Sequence, residues 1–397
     1  MGLRIGILTE KYAPDAGGLA VSSERLASML GRAGHEVFVM TPSPKLPAGD
    51  AAHETRDRVT VTRFGVHKSQ GETLLEWNDL AVATRKKQGL DIFHALSASW
   101  SSWAAVHAAR WCGIPAVVST RGADLDSSIT DPARTSIVLW ALEKAEAVTA
   151  PSVEIGKKVH TLAGDRAVYL QPPSVDAGIF RRLQDAAEVK AKLGLAGSKV
   201  IGFAGEAKKR KGLVTLLKTL GRLLEEDKSW KLLLAGALKR DDAHLVAGWQ
   251  KAHPSTSKAV GLIPWKTAGE LARVMNAMDV LALPAWRTAG PASVVEAMAC
   301  ETPVVVSDVP GLRGIVRNNQ TGIVVPQRDD VALADAIRKI VTDGEHRQKL
   351  TTAGRAWALS EASPEKEREA LEHAYGRAMG KGDQGKTVRF QVIPGQR

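Results

Sequence analysis

Two facing α/β domains, each a doubly wound parallel sheet, are what this chain predicts, and three observations predict them. Short apolar runs of strand length alternate with longer amphipathic stretches from end to end, the pattern of a parallel sheet covered by helices. The alternation breaks around residues 171–195, where Pro172-Pro173 cannot continue a sheet interior, and it restarts near Lys199. At 397 residues the chain is too long for one ordinary core and long enough for two.

The elements follow in order. LRIGILTE reads as a buried strand, residues 12–18 as a Pro/Gly-rich loop, and a helix runs on to about Gly31. On that helix Leu26, Met29, Leu30 and Ala33 fall at i, i+3, i+4 and i+7, which makes one apolar face. A second strand is expected at 36–41, and others at 91–94, 115–120, 147–150 and 167–170. The second series opens with KVIGFAG, a basic loop, and a helix with Leu213, Leu216, Leu217, Leu220, Leu223 and Leu224 on one stripe. Its further strands are expected at 231–235, 258–262, 279–283 and 302–307. The predicted domains are 1–175 and 176–365, with a helix at 366–380 packing back on the first and a flexible tail at 381–397. Ligands in such sheets sit outside the carboxyl ends of the strands, so facing domains would share one site in the cleft.

Composition narrows the chemistry. The chain is 44% hydrophobic and 24% charged, no apolar run is long enough to span a bilayer, and a cytoplasmic protein is expected. Cys112 and Cys300 imply no disulfide framework, and no Cys/His cluster has metal-ligand spacing, so no metal and no cofactor are expected. The net charge of +11 favours anionic partners: nucleic acid, anionic lipid or phosphorylated small molecules. Aromatic residues make up only 5% and do not interleave with basic ones, which argues against a nucleic-acid partner.

The most informative stretch is TAGPASVVEAMACETPVVVSDVPG, residues 288–311. It reads as a loop through Thr288, Gly290 and Pro291, a helix start at Ala292-Ser293, a short apolar helix bearing Glu296, and a buried valine strand. Unpaired N–H groups and the dipole at a helix start suit a phosphate, and a carboxylate one turn in suits a ribose. Ser293-Val294-Val295-Glu296 also has the spacing of a capping box, in which serine caps the helix and glutamate reaches back. A second anionic-group loop is GEAKKRKG, residues 205–212, where Lys208, Lys209, Arg210 and Lys211 follow a strand and can neutralise a diphosphate. The alternative reading of the run is a solvated basic face.

These segments together resemble the family 4 retaining glycosyltransferases of the GT-B fold, two facing Rossmann-like domains, over roughly residues 4–343. The family's donor motif is Glu, seven residues, Glu, then Ala-Met-Ala-Cys-Gly-x-Pro-Val-Val. Glu296-Ala297-Met298-Ala299-Cys300 and Pro303-Val304-Val305 match it as they stand. The resemblance implies that Glu296 grips the donor ribose, with Gly290, Pro291, Ala292 and Ser293 at the donor. Thr288 falls where the family has its first Glu, the residue that meets the transferred sugar; Glu301 stands at the usual Gly. Lys211-Gly212 matches the family's Lys-Gly, with Lys208, Lys209 or Arg210 in place of an Arg whose position Glu206 holds. Gly17-Gly18 resembles the glycine pair that brings backbone close to donor phosphate and acceptor. Arg121 and Asp124, in Ser-Thr-Arg-Gly-Ala-Asp, match one form of the family's acceptor-side loop. Arg121 would bind phosphate or acceptor, and Asp124 would orient it or meet an acceptor hydroxyl. His35 and His94 fit family positions too and read as residues of the fold.

The implied reaction moves a sugar from a nucleotide diphosphate sugar to a hydroxyl of a glycan, lipid-linked or small-molecule acceptor, with retention. The departing diphosphate takes the acceptor proton, and no protein nucleophile or metal is needed. Peripheral contact with an anionic membrane would suit a lipid-linked acceptor. The rival reading is a catalytically impaired GT-B protein that binds nucleotide or partners another transferase, for which Thr288 and Glu206 argue.

Overall fold

The computed structural model describes residues 2–15, 17–164, 167–265, 267–287 and 292–380. Thr288, Gly290 and Pro291, and the expected tail at 381–397, lie outside them. The chain forms two compact units, Met1–Gln171 together with the chain from Glu367 on, and Pro172–Lys366.

In the first unit the order is β1 (Arg4–Leu8), α1 (Gly18–Arg32), β2 (Glu36–Ser43), β3 (Ala51–Arg56), β4 (Val59–Gly65), α2 (Gln70–Gln88) and β5 (Ile92–Ala95). Then come α3 (Trp100–Cys112), β6 (Ala116–Ser119), α4 (Ala123–Ile129), α5 (Pro132–Lys144), β7 (Ala147–Ala150), α6 (Val153–Ala163) and β8 (Val168–Leu170). The sheet runs β3-β4-β2-β1-β5-β6-β7-β8, parallel throughout except for the β3–β4 hairpin. Strands β5, β6 and β7 are buried along their whole length because helices cover both faces, so they read as unbroken apolar runs. The hairpin was not expected: AAHETR of β3 is exposed at all six positions and carries no apolar alternation.

The second unit holds α7 (Ala186–Lys192), β9 (Lys199–Ala204), α8 (Leu213–Glu226), β10 (Trp230–Ala235), α9 (Arg240–Ala252), β11 (Val260–Ile263), α10 (Ala268–Asn276) and β12 (Val280–Leu283). It continues through α11 (Ala292–Ala299), β13 (Val304–Ser307), α12 (Pro310–Arg313), β14 (Ile323–Val325), α13 (Asp330–Thr342) and α14 (Gly344–Glu361). Its sheet is all parallel, in the order β11-β10-β9-β12-β13-β14. The leucine stripe of α8 is buried against it at all six predicted positions.

The last helix, α15 (Pro364–Ala378), carries Leu371, Ala374 and Tyr375 into the core of the first unit. There Tyr375 Oη meets His94 Nδ1 at 2.7 Å, and His94 Nε2 meets Ser119 Oγ at 2.7 Å. Glu367, 1% exposed, accepts from Arg25 Nη1 and Nη2 and from Gln171 Nε2 at 3.1 Å. Burial drives the His94 pKa down to about 3, so the ring is neutral and serves packing, as does His35, whose Nδ1 accepts from Leu3 N at 3.0 Å. Both histidines are fold residues.

Candidate functional site

In the second unit the strand order sets the site. The chain proceeds outward from β9 to β10 and β11, then returns to the other flank of β9 with β12. The loops leaving the carboxyl ends of β9 and β12 part over this switch point, where open parallel sheets bind ligands. Here they are held to each other: Trp286 N donates to Arg210 O at 3.0 Å. Gly212, at φ +90°, sits so close that a Cβ would come within 2.1 Å of the Pro284 carbonyl oxygen. Glycine is required there on both counts.

The basic run is not a uniform solvated face. Glu206, at the position of the family's arginine, holds Lys208 Nζ at 2.7 Å and Lys239 Nζ at 2.9 Å. Burial pushes its carboxyl pKa up, but the two ammonium groups outweigh burial and hold it below the ordinary value. Lys208 is therefore already engaged, while Lys209 and Arg210 are exposed. Lys211 is half-buried, and its ammonium lies 3.4 Å from where a Cβ on Gly205 would be. Burial lowers its pKa, and so does Arg210, with Glu206 opposing. Of the three lysines named from the sequence, Lys208 is held by Glu206 and Lys209 is exposed, whereas Lys211 is half-buried against Gly205 at the end of β9, its ammonium with no ion pair among the described residues.

Helix α11 covers Ala292–Ala299, with Ser293 and Glu296 both within it. Glu296 is half-buried and close enough to Cys300 that, after burial, it helps raise the thiol pKa to about 12. Glu301, directly after the helix, adopts φ +59°, the left-handed conformation that favours glycine. That explains the family's Gly in this place; here the glutamate pairs with Arg355 at 3.6 Å, whose Nη1 donates to Ala299 O at 2.7 Å.

In the first unit β1 lies between β2 and β5, which makes a second switch point. The β1 loop carries Gly17-Gly18 to the start of α1, with Gly17 at φ +119° and open space around both glycines. Beside it Glu10 accepts from Ser97 Oγ at 2.5 Å, from Ser99 Oγ and from Ser101 N at 2.8 Å, closing the start of α3. The sequence reading missed Glu10 and these serines; the signal was SASWSS directly after a strand.

The Asp124 carboxylate is taken up by backbone amides. Asp124 accepts from Ala98 N at 2.7 Å, Arg121 N at 2.8 Å and Leu125 N at 2.7 Å, so both oxygens organise backbone. Burial still leaves its pKa raised against these bonds. The Arg121 Nε donates to Leu96 O at 3.1 Å, while its Nη2 is buried without a partner among the described residues. Burial lowers the Arg121 pKa and Glu367 opposes. The aspartate orders the loop, and the guanidinium keeps one donor unused among the described residues. Among the described residues no cluster of three or more His, Cys, Asp or Glu is arranged to hold a metal, and no helix is long and apolar enough to cross a membrane.

Comparison with known proteins agrees with this geometry. Residues 17–172 match the glycosyl transferase 4-like domain, and residues 185–357 match the glycosyl transferases group 1 family. The chain is 29% identical to the D-inositol 3-phosphate glycosyltransferase of Actinosynnema mirum, over 94% of this chain and 97% of that one. With its namesake from Nocardia farcinica it shares 28% identity over 55% of this chain, and spans about half of that relative, 51%. The sucrose-phosphate synthase of Thermosynechococcus elongatus superposes with a TM-score of 0.82 at 22% identity, over 96% of this chain and 100% of that one. Two Rossmann-like units with these matches identify the fold as GT-B. The chain belongs to the GT-B glycosyltransferases, a glycosyl transferase 4-like domain followed by a glycosyl transferases group 1 domain.

Proposed function

We propose that this transferase moves a sugar from a nucleoside diphosphate sugar, held by the second unit, to a hydroxyl of a phosphorylated polyol or lipid-linked acceptor, with retention. The observation that carries the reading is the pairing of two loops over one switch point, the first with Lys211, the second leading into α11 and Glu296. In this reading Glu296 binds the ribose, Ala292 and Ser293 present backbone N–H groups to the diphosphate, and Lys211 stabilises its growing charge as it leaves. The departing phosphate takes the acceptor proton on the face it vacates, so no side chain acts as nucleophile. Arg121 supplies its unused donor to a phosphate, Asp124 fixes the loop that carries it, and Gly17-Gly18 allow close backbone approach.

Two further parts of the reading rest on charge. The cations serving the diphosphate are side chains, so turnover is expected to survive EDTA. Contact with an anionic membrane is supported by Trp111, 75% exposed at the end of α3, between Arg110 and Cys112, on whose thiol Arg85 and Lys86 act. The test of the donor site is a melting panel of UDP, GDP and ADP on the wild type and on Glu296→Ala. A ligand that binds only the folded state must raise the melting temperature. One diphosphate should raise it in the wild type and much less in the variant; no shift with any of the three sinks the reading.

A further inference from the structure

We infer that the second unit carries another anion site, built by Lys228, Lys231 and Lys258 for a compact phosphate-bearing ligand. The three lysines line a cavity of about 280 Å³ together with Ser255, Thr256, Leu224 and Ala259. The lining residues are three lysines, two hydroxyl-bearing residues and two apolar ones, and none of them carries a carboxylate. The acids nearest in sequence are engaged elsewhere. Asp227 holds Lys199 Nζ at 2.8 Å and Glu226 holds Arg338 at 2.6 Å. Three like charges around one hollow repel one another, and a multivalent anion with several acceptor oxygens relieves that repulsion while taking the hydroxyl donors.

The site is separate from the transfer machinery. Strand β10 starts at Trp230 and β11 at Val260, so Lys228, Lys231 and Lys258 surround the amino ends of these strands. Lys211 and α11 belong to the carboxyl ends, on the opposite edge of the same sheet. Leu224 and Ala259, both buried, give the aliphatic lysine stems an apolar floor. The volume suits a diphosphate or a phosphomonoester on a small polyol, and the same phosphate chemistry comes from a soluble metabolite or from a lipid headgroup.

Lysine acetylation read by peptide mass spectrometry tests this residue by residue on the full chain. Inorganic pyrophosphate should slow acetylation of Lys231 and Lys258 by about tenfold or more, and leave Lys349, 72% exposed, unchanged. Lys228→Gln should weaken that protection, while Lys211 reports on the other edge independently. Protection by pyrophosphate alone assigns a soluble anion; protection also by phosphatidylglycerol vesicles, and not by phosphatidylcholine vesicles, assigns a lipid phosphate. Equal reactivity of Lys231 and Lys258 with and without pyrophosphate and phosphatidylglycerol overturns the site, as does equal protection by phosphatidylcholine.

Discussion

Lys211→Gln tests the proposed chemistry most directly. The substitution keeps a side chain of similar length in a half-buried position and removes only the cation. A unit charge about 4 Å from an ammonium interacts by about 4 kcal/mol at an effective dielectric of about 20. If about half a unit of extra charge reaches the leaving diphosphate in the transition state, Lys211 contributes about 2 kcal/mol there, or roughly thirtyfold in kcat. Charge already present in the donor adds to KM as well. The assay is the initial rate of diphosphate release, using the nucleotide sugar whose diphosphate raises the melting temperature most. Burial lowers the Lys211 pKa, so the active, protonated form is lost as pH rises through a value below that of ordinary lysine. The alkaline limb of kcat should therefore fall early, and Lys211→Arg should move it upward. Turnover of Lys211→Gln within threefold of wild type, with the melting shift intact, refutes the role.

Four other outcomes follow from the geometry. With the His94 pKa lowered to about 3 from an unfolded value of about 6.5, the unfolded chain takes up the proton first. Its stabilisation is complete above pH 6.5 and shrinks as pH falls, by about 2–3 kcal/mol at pH 4.5; His94→Gln should flatten the acid side of the melting profile. Gly212→Ala meets Pro284 and a left-handed backbone and should lose about 3 kcal/mol or more, whereas Gly18→Ala meets open space and should melt like wild type while raising KM. Glu367→Ala should cost about 3 kcal/mol, the low end for a broken buried pair, because Arg25 is 27% exposed and can turn to water. Calorimetry should show a fall of roughly 6–10 °C. Glu301→Gly should raise stability by about 1 kcal/mol, since it relieves φ +59° and sacrifices only the partly exposed pair with Arg355. A lower melting temperature would count against that backbone account.

What could be read from the sequence was local. Strands such as AVTA of β7 and VVVS of β13 are buried on both faces, so their apolar runs declare them without knowledge of their neighbours. The motif helix and the basic loop were legible for the same reason, since each is a single segment whose chemistry lies in adjacent letters. The exposed hairpin strand β3 gave no such signal.

The charge contacts that the sequence leaves open are those whose partners come from distant segments. Within KKRK nothing distinguishes Lys208 from Lys211, yet Glu206 engages Lys208 together with Lys239, a residue on the far side of β10. That contact turns an apparent defect, a glutamate at an arginine position, into the reason one cation is bound and another left for a ligand. Asp124 shows the converse. Its place beside Arg121 suggests only a group that orients that arginine or meets an acceptor hydroxyl, while Ala98 N, 26 residues earlier, and two nearby amides take its oxygens and make it a loop organiser. A carboxylate is assigned by the nearest donors in space. At the edge of a parallel sheet those donors belong to the neighbouring strand's loop, which strand order decides and residue spacing does not.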